Sequence, residues 1–229
     1  MEDLNALQLI LSGDPRLFAI VRLSLTVTLA ATLVAAALGL SLGASIALTR
    51  FPGRQGLIIA LNALMGLPPV VVGLLVFLAL SRSGPFGFLG ILFTPQAMVI
   101  AQAILITPII AALSRQVIED LWAEYKDEFT AMGVPVAMRV RALLWDARFS
   151  LVTILLAGFG RAAAEVGAVM IVGGNIDGFT RVMTTSIALE TSKGDLALAI
   201  GLGTILIGII FAINAAAWGV RQWSGRHAG

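Results

Sequence analysis

Arg161 and Glu165 are opposite charges four positions apart in an otherwise apolar run, Gly160-Arg-Ala-Ala-Ala-Glu-Val-Gly-Ala-Val-Met-Ile-Val-Gly-Gly-Asn175. On a helix, residues at that spacing share a face. A charge deep in a hydrocarbon layer costs at least about 3 kcal/mol, so the pair is expected to turn inward. There it is either a structural clamp or part of a route for a charged solute. Gly160, Ala164, Gly167 and Ala168 supply small surfaces for close helix approach. A second signal is Leu67-Pro-Pro-Val-Val-Val-Gly73, where Pro68 and Pro69 remove two backbone donors and predict a kink or break. It is read as a kink beside a pathway or as a packing kink. A third is the polar segment 173–195, with Asn175, Asp177, Thr180, Arg181, Thr184, Thr185, Glu190 and Lys193. Its hydroxyls and backbone amides suit hydrogen bonding to a polar solute. A partner contact and a plain solvated loop are the other readings, and residues 183–189 are expected to form a short helix.

Other chemistry is excluded by inventory. The chain has no Cys and a single His, His227, three residues from its end. Thiolate chemistry, His-based triads and multi-His metal sites are therefore not expected. No G-x-x-x-x-G-K-[ST] phosphate loop is present, so the chain should not hydrolyse ATP itself. No catalytic residue, metal site or cofactor is expected.

The elements that hold these residues follow from composition. Of 229 residues, 59% are hydrophobic and 12% charged, and the mean hydropathy is +0.98. An average soluble domain carries about twice that charge. The expected class is all-α integral membrane. The net charge of +2 does not point to nucleic acid, because the basic residues are scattered through short loops. Five apolar segments are expected, at residues 18–48, 57–80, 95–113, 151–172 and 196–220. Residues 1–16 read as a tail or an interfacial helix with Leu4, Leu7 and Leu11 on one face. Residues 17–220 form the membrane domain and 221–229 a cytoplasmic tail. Trp218, Arg221 and Trp223 suit an interfacial anchor.

Residues 114–150 differ from the rest: too polar to span, they read as amphipathic helix broken near Gly133-Val-Pro135. Gly can end one helix and Pro open the next. If this loop is cytoplasmic, Arg50, Arg54, Arg115, Lys126, Arg139, Arg141, Arg148, Arg221 and Arg226 lie inside. Arg16, Arg22, Arg82, Arg181 and Lys193 then lie outside. That asymmetry places the N-terminus outside and the C-terminus in the cytoplasm, with Arg16 and Arg22 as counter-evidence.

Within that loop, Asp127-Glu-Phe-Thr-Ala-Met-Gly133 resembles the E-A-A…G loop of ABC importer permeases. The match is degenerate. Asp127 stands at the Glu position, Glu128 and Phe129 replace the two Ala, and Gly133 is retained. Leu143, Trp145 and Asp146 stand at the I, L and P positions. The Leu67–Gly73 stretch resembles the L-P-P-x-V-x-G of molybdate, tungstate and sulfate permeases. The run from Gly160 to Asn175 resembles their R-A-x-x-E-x-G-A…G-G-N signature. Residues 180–195 look most like the tungstate branch, and the resemblance covers roughly residues 17–220. It implies a five-span type I permease core in the cytoplasmic membrane that works as a homodimer. It also implies two copies of a separate ATP-binding subunit and an extracytoplasmic substrate-binding protein. Asp127, Glu128, Ala131 and Gly133 would couple to the ATPase. Pro68, Pro69, Arg161, Glu165, Gly167, Asn175, Thr184, Thr185 and Glu190 would line or gate the route. Molybdate or sulfate is the alternative cargo. A secondary carrier fits less well, since many carriers show two related halves and no repeat is visible here. A non-transporting scaffold is the remaining class.

Overall fold

A computed structural model describes residues 14–225. The expectations for Leu4, Leu7, Leu11 and His227, and for the side chains of Arg221 and Trp223, lie outside the described residues. The described residues form helices, with a 3-10 turn at Gly87–Leu89.

Helix α1, Pro15–Leu48, starts where Asp14 and Pro15 place a cap and a first-turn proline. The Asp14 carboxylate accepts from Arg16 N at 2.8 Å. Its 34 residues extend about 51 Å. Its inner stripe is Val27, Ala31, Ala35, Gly39, Gly43 and Ala47, every fourth residue and all buried. That stripe lies along α4, Pro95–Ala131. A methyl added at Gly39 would stand 2.9 Å from Ile110 Cβ, and one at Gly43 would stand 2.7 Å from the Ala111 carbonyl. Small residues let the two backbones approach, which is how helices associate where lipid removes the hydrophobic drive.

Arg54–Leu64 (α2) and Pro69–Leu80 (α3) are bent by 104° at the break containing Pro68. The expected kink is thus a sharp corner. Ser81 to Thr94 return as loop, as composition implies. Helix α4 departs from expectation. It does not end near Leu113 but runs for 37 residues into the charged segment. Val117, Ile118, Leu121, Trp122, Tyr125 and Phe129 keep an apolar stripe going after charges appear on the other faces. Trp122 packs into that stripe, stacked on Phe129 with ring centroids 6.4 Å apart.

Val136–Asp146 (α5) and Arg148–Ala163 (α6) follow, bent by 66°. The fourth apolar segment is not one helix: α6 stops at Ala163, and α7, Gly167–Gly173, starts a new one. The expected short helix is present as α8, Met183–Lys193, and α9 is Leu196–Gly225. Among the described residues, three helices are long and apolar enough to cross a membrane, or up to five if each bent pair is one span. The main core gathers α1, α3, α4, α6 and α7 around Met98, Ile106, Ile110 and Val169. A smaller cluster of Leu17, Met183 and Leu202 binds α8 and α9 to the start of α1. At the other end of α1, Arg54 and Arg115 both pair with Glu119, while Arg54 Nε donates to the Ile46 carbonyl at 2.8 Å. That ionic knot ties α1, α2 and α4 together.

Candidate functional site

The break between α6 and α7 is where the sequence signals converge. Arg161 and Glu165 do pair, Nη1 to Oε2 at 2.9 Å. They do not share a helical face as expected, because α6 ends between them and Glu165 stands in the break. This position lets one buried side chain do several jobs. Glu165 is 3% exposed. Its Oε1 accepts from Ala168 N at 3.0 Å, a donor left free by the start of α7. Its backbone carbonyl accepts from the Thr184 hydroxyl at 2.8 Å. Gln102 of α4 donates Nε2 to the Ala162 carbonyl at 3.0 Å. Broken backbone at membrane depth persists where protein groups satisfy it, and here three side chains, of Glu165, Thr184 and Gln102, supply them.

The other break abuts this one. Val70, next to Pro69, faces Gly167: a methyl on Gly167 would stand 2.9 Å from Val70 Cγ2. A methyl on Gly73 would stand 2.8 Å from Ala168 Cα. So α3 and α7 touch backbone to backbone, and the two interruptions share one locus. Of the small residues expected to allow close approach, Gly167 and Ala168 do so. Gly160 faces open space among the described residues.

The structure therefore brings Pro68, Pro69, Arg161, Glu165, Gly167 and Thr184 to one node. It does not bring Asn175, Thr185 or Glu190 there. Thr185 turns its hydroxyl to its own helix start, accepting from Val182 N at 3.1 Å. Glu190 pairs with Lys193 at 3.0 Å, at the far end of α8. Asn175 follows Gly174 in a left-handed turn, with φ of 50° and 70° respectively, and its Oδ1 is buried without a partner among the described residues. Thr180 stitches that turn, donating to the Gly173 carbonyl at 2.5 Å and accepting from Ile176 N at 3.0 Å. The Arg161 side chain is 38% exposed while its partner is buried. The node thus presents guanidinium donors outward from a carboxylate held inside.

Gln102 is the node residue that sequence reasoning missed. Its signal was an amide in the middle of the apolar run of α4, with nothing to name its partner. Its Oε1 is buried and unpartnered among the described residues.

The second locus is the elbow between α4 and α5. Gly133 has φ of 62°. Val134 N donates to Phe129 O at 3.0 Å and Gly133 N to Thr130 O at 3.1 Å, the paired bonds of a glycine-terminated helix. Pro135 then precedes α5, as the Gly-Val-Pro spacing predicts. Asp127, Glu128 and Ala131 are all exposed on the last turns of α4. Arg139 Nε donates to Val134 O at 2.6 Å, and its guanidinium lies 5.8 Å from the Trp122 ring centre. Tyr125 Oη donates to Asp146 Oδ2 at 3.2 Å. That hydrogen bond, followed by the charge of Asp146, raises the Tyr125 phenol above its ordinary value of 10.0. A raised pKa favours the neutral donor, so the bond holds at neutral pH and is lost as pH rises through the raised value. Leu143 is buried, anchoring α5 to α1 and α4. Val136, Met138 and Trp145 stay exposed, Trp145 at 70%.

No family model matches the chain. The tungstate uptake system permease protein TupB of Peptoclostridium acidaminophilum is 40% identical over 217 residues, covering 95% of this chain and 95% of that protein. A probable anion ABC transporter permease protein of Haloferax volcanii is 40% identical over 204 residues, covering 87% and 88%. The molybdenum transport system permease protein ModB of Azotobacter vinelandii is 30% identical over 158 residues, covering 61% and 64%.

Proposed function

The chain belongs to the family of anion ABC importer permeases, and from that premise we propose that it is the transmembrane subunit of an ATP-driven tungstate importer. One observation carries the substrate: the 40% identity to a tungstate permease extends over 95% of both chains. It thus takes in the node and the elbow alike.

The permease works as a homodimer with two ATP-binding subunits on the cytoplasmic side. A substrate-binding protein delivers the dianion outside. The N-terminus faces out and the C-terminus faces in, as the arginine bias of the loops favours. Residues 17–220 form the translocating unit, with residues 114–150 as its coupling segment. Alternating access moves the cargo: ATP closes the ATPase pair, the elbows shift, and the route opens outward to receive the anion. Hydrolysis resets it.

The geometry supports a division of labour. Asp127, Glu128, Ala131 and Gly133 form the turn that bears on the ATPase, together with the exposed apolar face of α5. Pro68, Pro69, Arg161, Glu165, Gly167 and Thr184 form the switch region. Asn175, Thr185 and Glu190 belong to the approach segment. Guanidinium donors on Arg161 match the charge of an oxyanion, and pairing with Glu165 keeps that attraction weak enough for release.

Uptake of labelled tungstate by proteoliposomes holding the whole transporter tests this. Uptake should require ATP and the binding protein, and excess sulfate should compete poorly. ATP-independent uptake, or uptake of sulfate in preference, would overturn the assignment.

A further inference from the structure

A cavity of about 710 Å³ opens at the end of the bundle where α1 begins, between its first turns and the loop at residues 177–181. Arg16, Arg22 and Arg181 line it against a single carboxylate, Asp177, over an apolar floor that includes Ile20 and Leu23. Arg16 and Arg22 stand about 9 Å apart along the helix axis. Among the described residues neither joins an ion pair.

Arg181 is held in place. Its Nη1 lies 3.0 Å from Asp177 Oδ1, and its Nη2 donates weakly to the Asn175 carbonyl at 3.5 Å. Its Nε is buried and has no partner among the described residues. A guanidinium fixed by Asp177, beside two cations that join no ion pair among the described residues, is an arrangement suited to an anion with several acceptor oxygens. Apolar walls strengthen the attraction relative to bulk water. These arginines also oppose the charge bias of the loops, which otherwise leaves that side poor in cations.

We propose that this cleft binds a tetrahedral oxyanion group: either the free dianion outside the route, or the phosphodiester of an anionic lipid, which asks for the same donors. Its outward position rests on the orientation proposed above, whereas its affinity for the group does not. Arg22 and Arg181 hold the anion, and Arg16 adds charge at the rim.

The test uses the full-length permease without its ATP-binding subunit or binding protein. Permease in phosphatidylcholine nanodiscs is equilibrated with labelled inorganic tungstate. In parallel, detergent-solubilised permease is given phosphatidylglycerol and followed by native mass spectrometry. At least one probe should bind, and Arg22→Gln and Arg181→Gln should each weaken it by about tenfold or more. Arg22→Lys should recover part of the loss. A loss confined to tungstate assigns the free dianion, and one confined to phosphatidylglycerol assigns the lipid phosphate. If Arg181→Gln misfolds, Arg16→Gln, at an exposed position, serves in its place. Binding of neither probe to the wild type overturns the proposal. So does equal binding by the glutamine variants at an unchanged melting temperature, or binding lost only in Arg161→Gln. Uptake by the whole transporter is scored separately: no tungstate uptake with cleft binding intact refutes the import reading and leaves the cleft standing.

Discussion

The node at Glu165 and the elbow at Gly133 are both helix interruptions, and they are completed in opposite ways. At the node the orphaned backbone groups are served from inside the chain, by Glu165, Thr184 and Gln102. At the elbow the backbone is also satisfied, yet the side chains beyond it remain apolar and uncovered. One interruption is closed by its own fold. The other presents a surface with no counterpart among the described residues. A buried polar junction specifies one arrangement and is costly to disturb. An exposed apolar face adds little stability to the chain alone, so its worth appears only with a partner.

Substitutions should separate the two. Glu165→Ala should have the largest effect. It strips Ala168 N and Arg161 of their acceptor at once, and the buried amide left unpaired alone costs about 1–3 kcal/mol. The solubilised permease should melt lower and uptake should vanish; a stable, active variant would show the node to be dispensable. Exchanging the charges (Arg161→Glu with Glu165→Arg) should not rescue it, because arginine cannot accept from Ala168 N. Recovery of uptake and melting temperature in that double variant would reduce the node to a simple ion pair.

Gly133→Pro comes next. Proline cannot adopt the positive φ and loses the N–H that reaches Thr130, a local cost of about 1–3 kcal/mol. The chain should still insert and the node stay intact, while ATP hydrolysis by the assembled transporter no longer drives uptake. Normal uptake would remove the coupling role. Gly73→Val should be milder, about 2 kcal/mol, by forcing α3 off α7. Its melting curve should move with that of Glu165→Ala rather than that of the elbow variants. Trp145→Ala should be smallest for the isolated permease, within about 0.5 kcal/mol. It should nonetheless reduce the ATP-binding subunit recovered with the permease. Full recovery would mean that this face is not the docking surface.

Sequence reading saw those features whose causes are local. Pro68-Pro69 turns the chain, and Gly133-Val-Pro135 separates α4 from α5. Each is dictated by residues that restrict φ or supply a cap. The break at Ala164 to Val166 was not legible. Ala-Ala-Ala-Glu favours helix, and the interruption is sustained by Thr184 and Gln102, 19 and 60 residues away from the carbonyls they serve. The length of α4 was misread for a related reason: charge was taken as the end of a span, although its apolar stripe continues beneath the charges. Pairing four residues apart was expected and found between Arg161 and Glu165, but the geometry behind it belongs to a helix end.

The reach of α4 has a mechanical consequence. Gln102 touches the node and Phe129 the elbow, on one helix, about 40 Å apart along its axis. On a rod of that length, a tilt of about 5° displaces one end by about 3.5 Å relative to the other, enough to break a hydrogen bond. Between them sits Pro108, buried, where the ladder lacks one donor. One continuous helix thus joins the two loci, and a small rotation at either end becomes a displacement of several ångströms at the other.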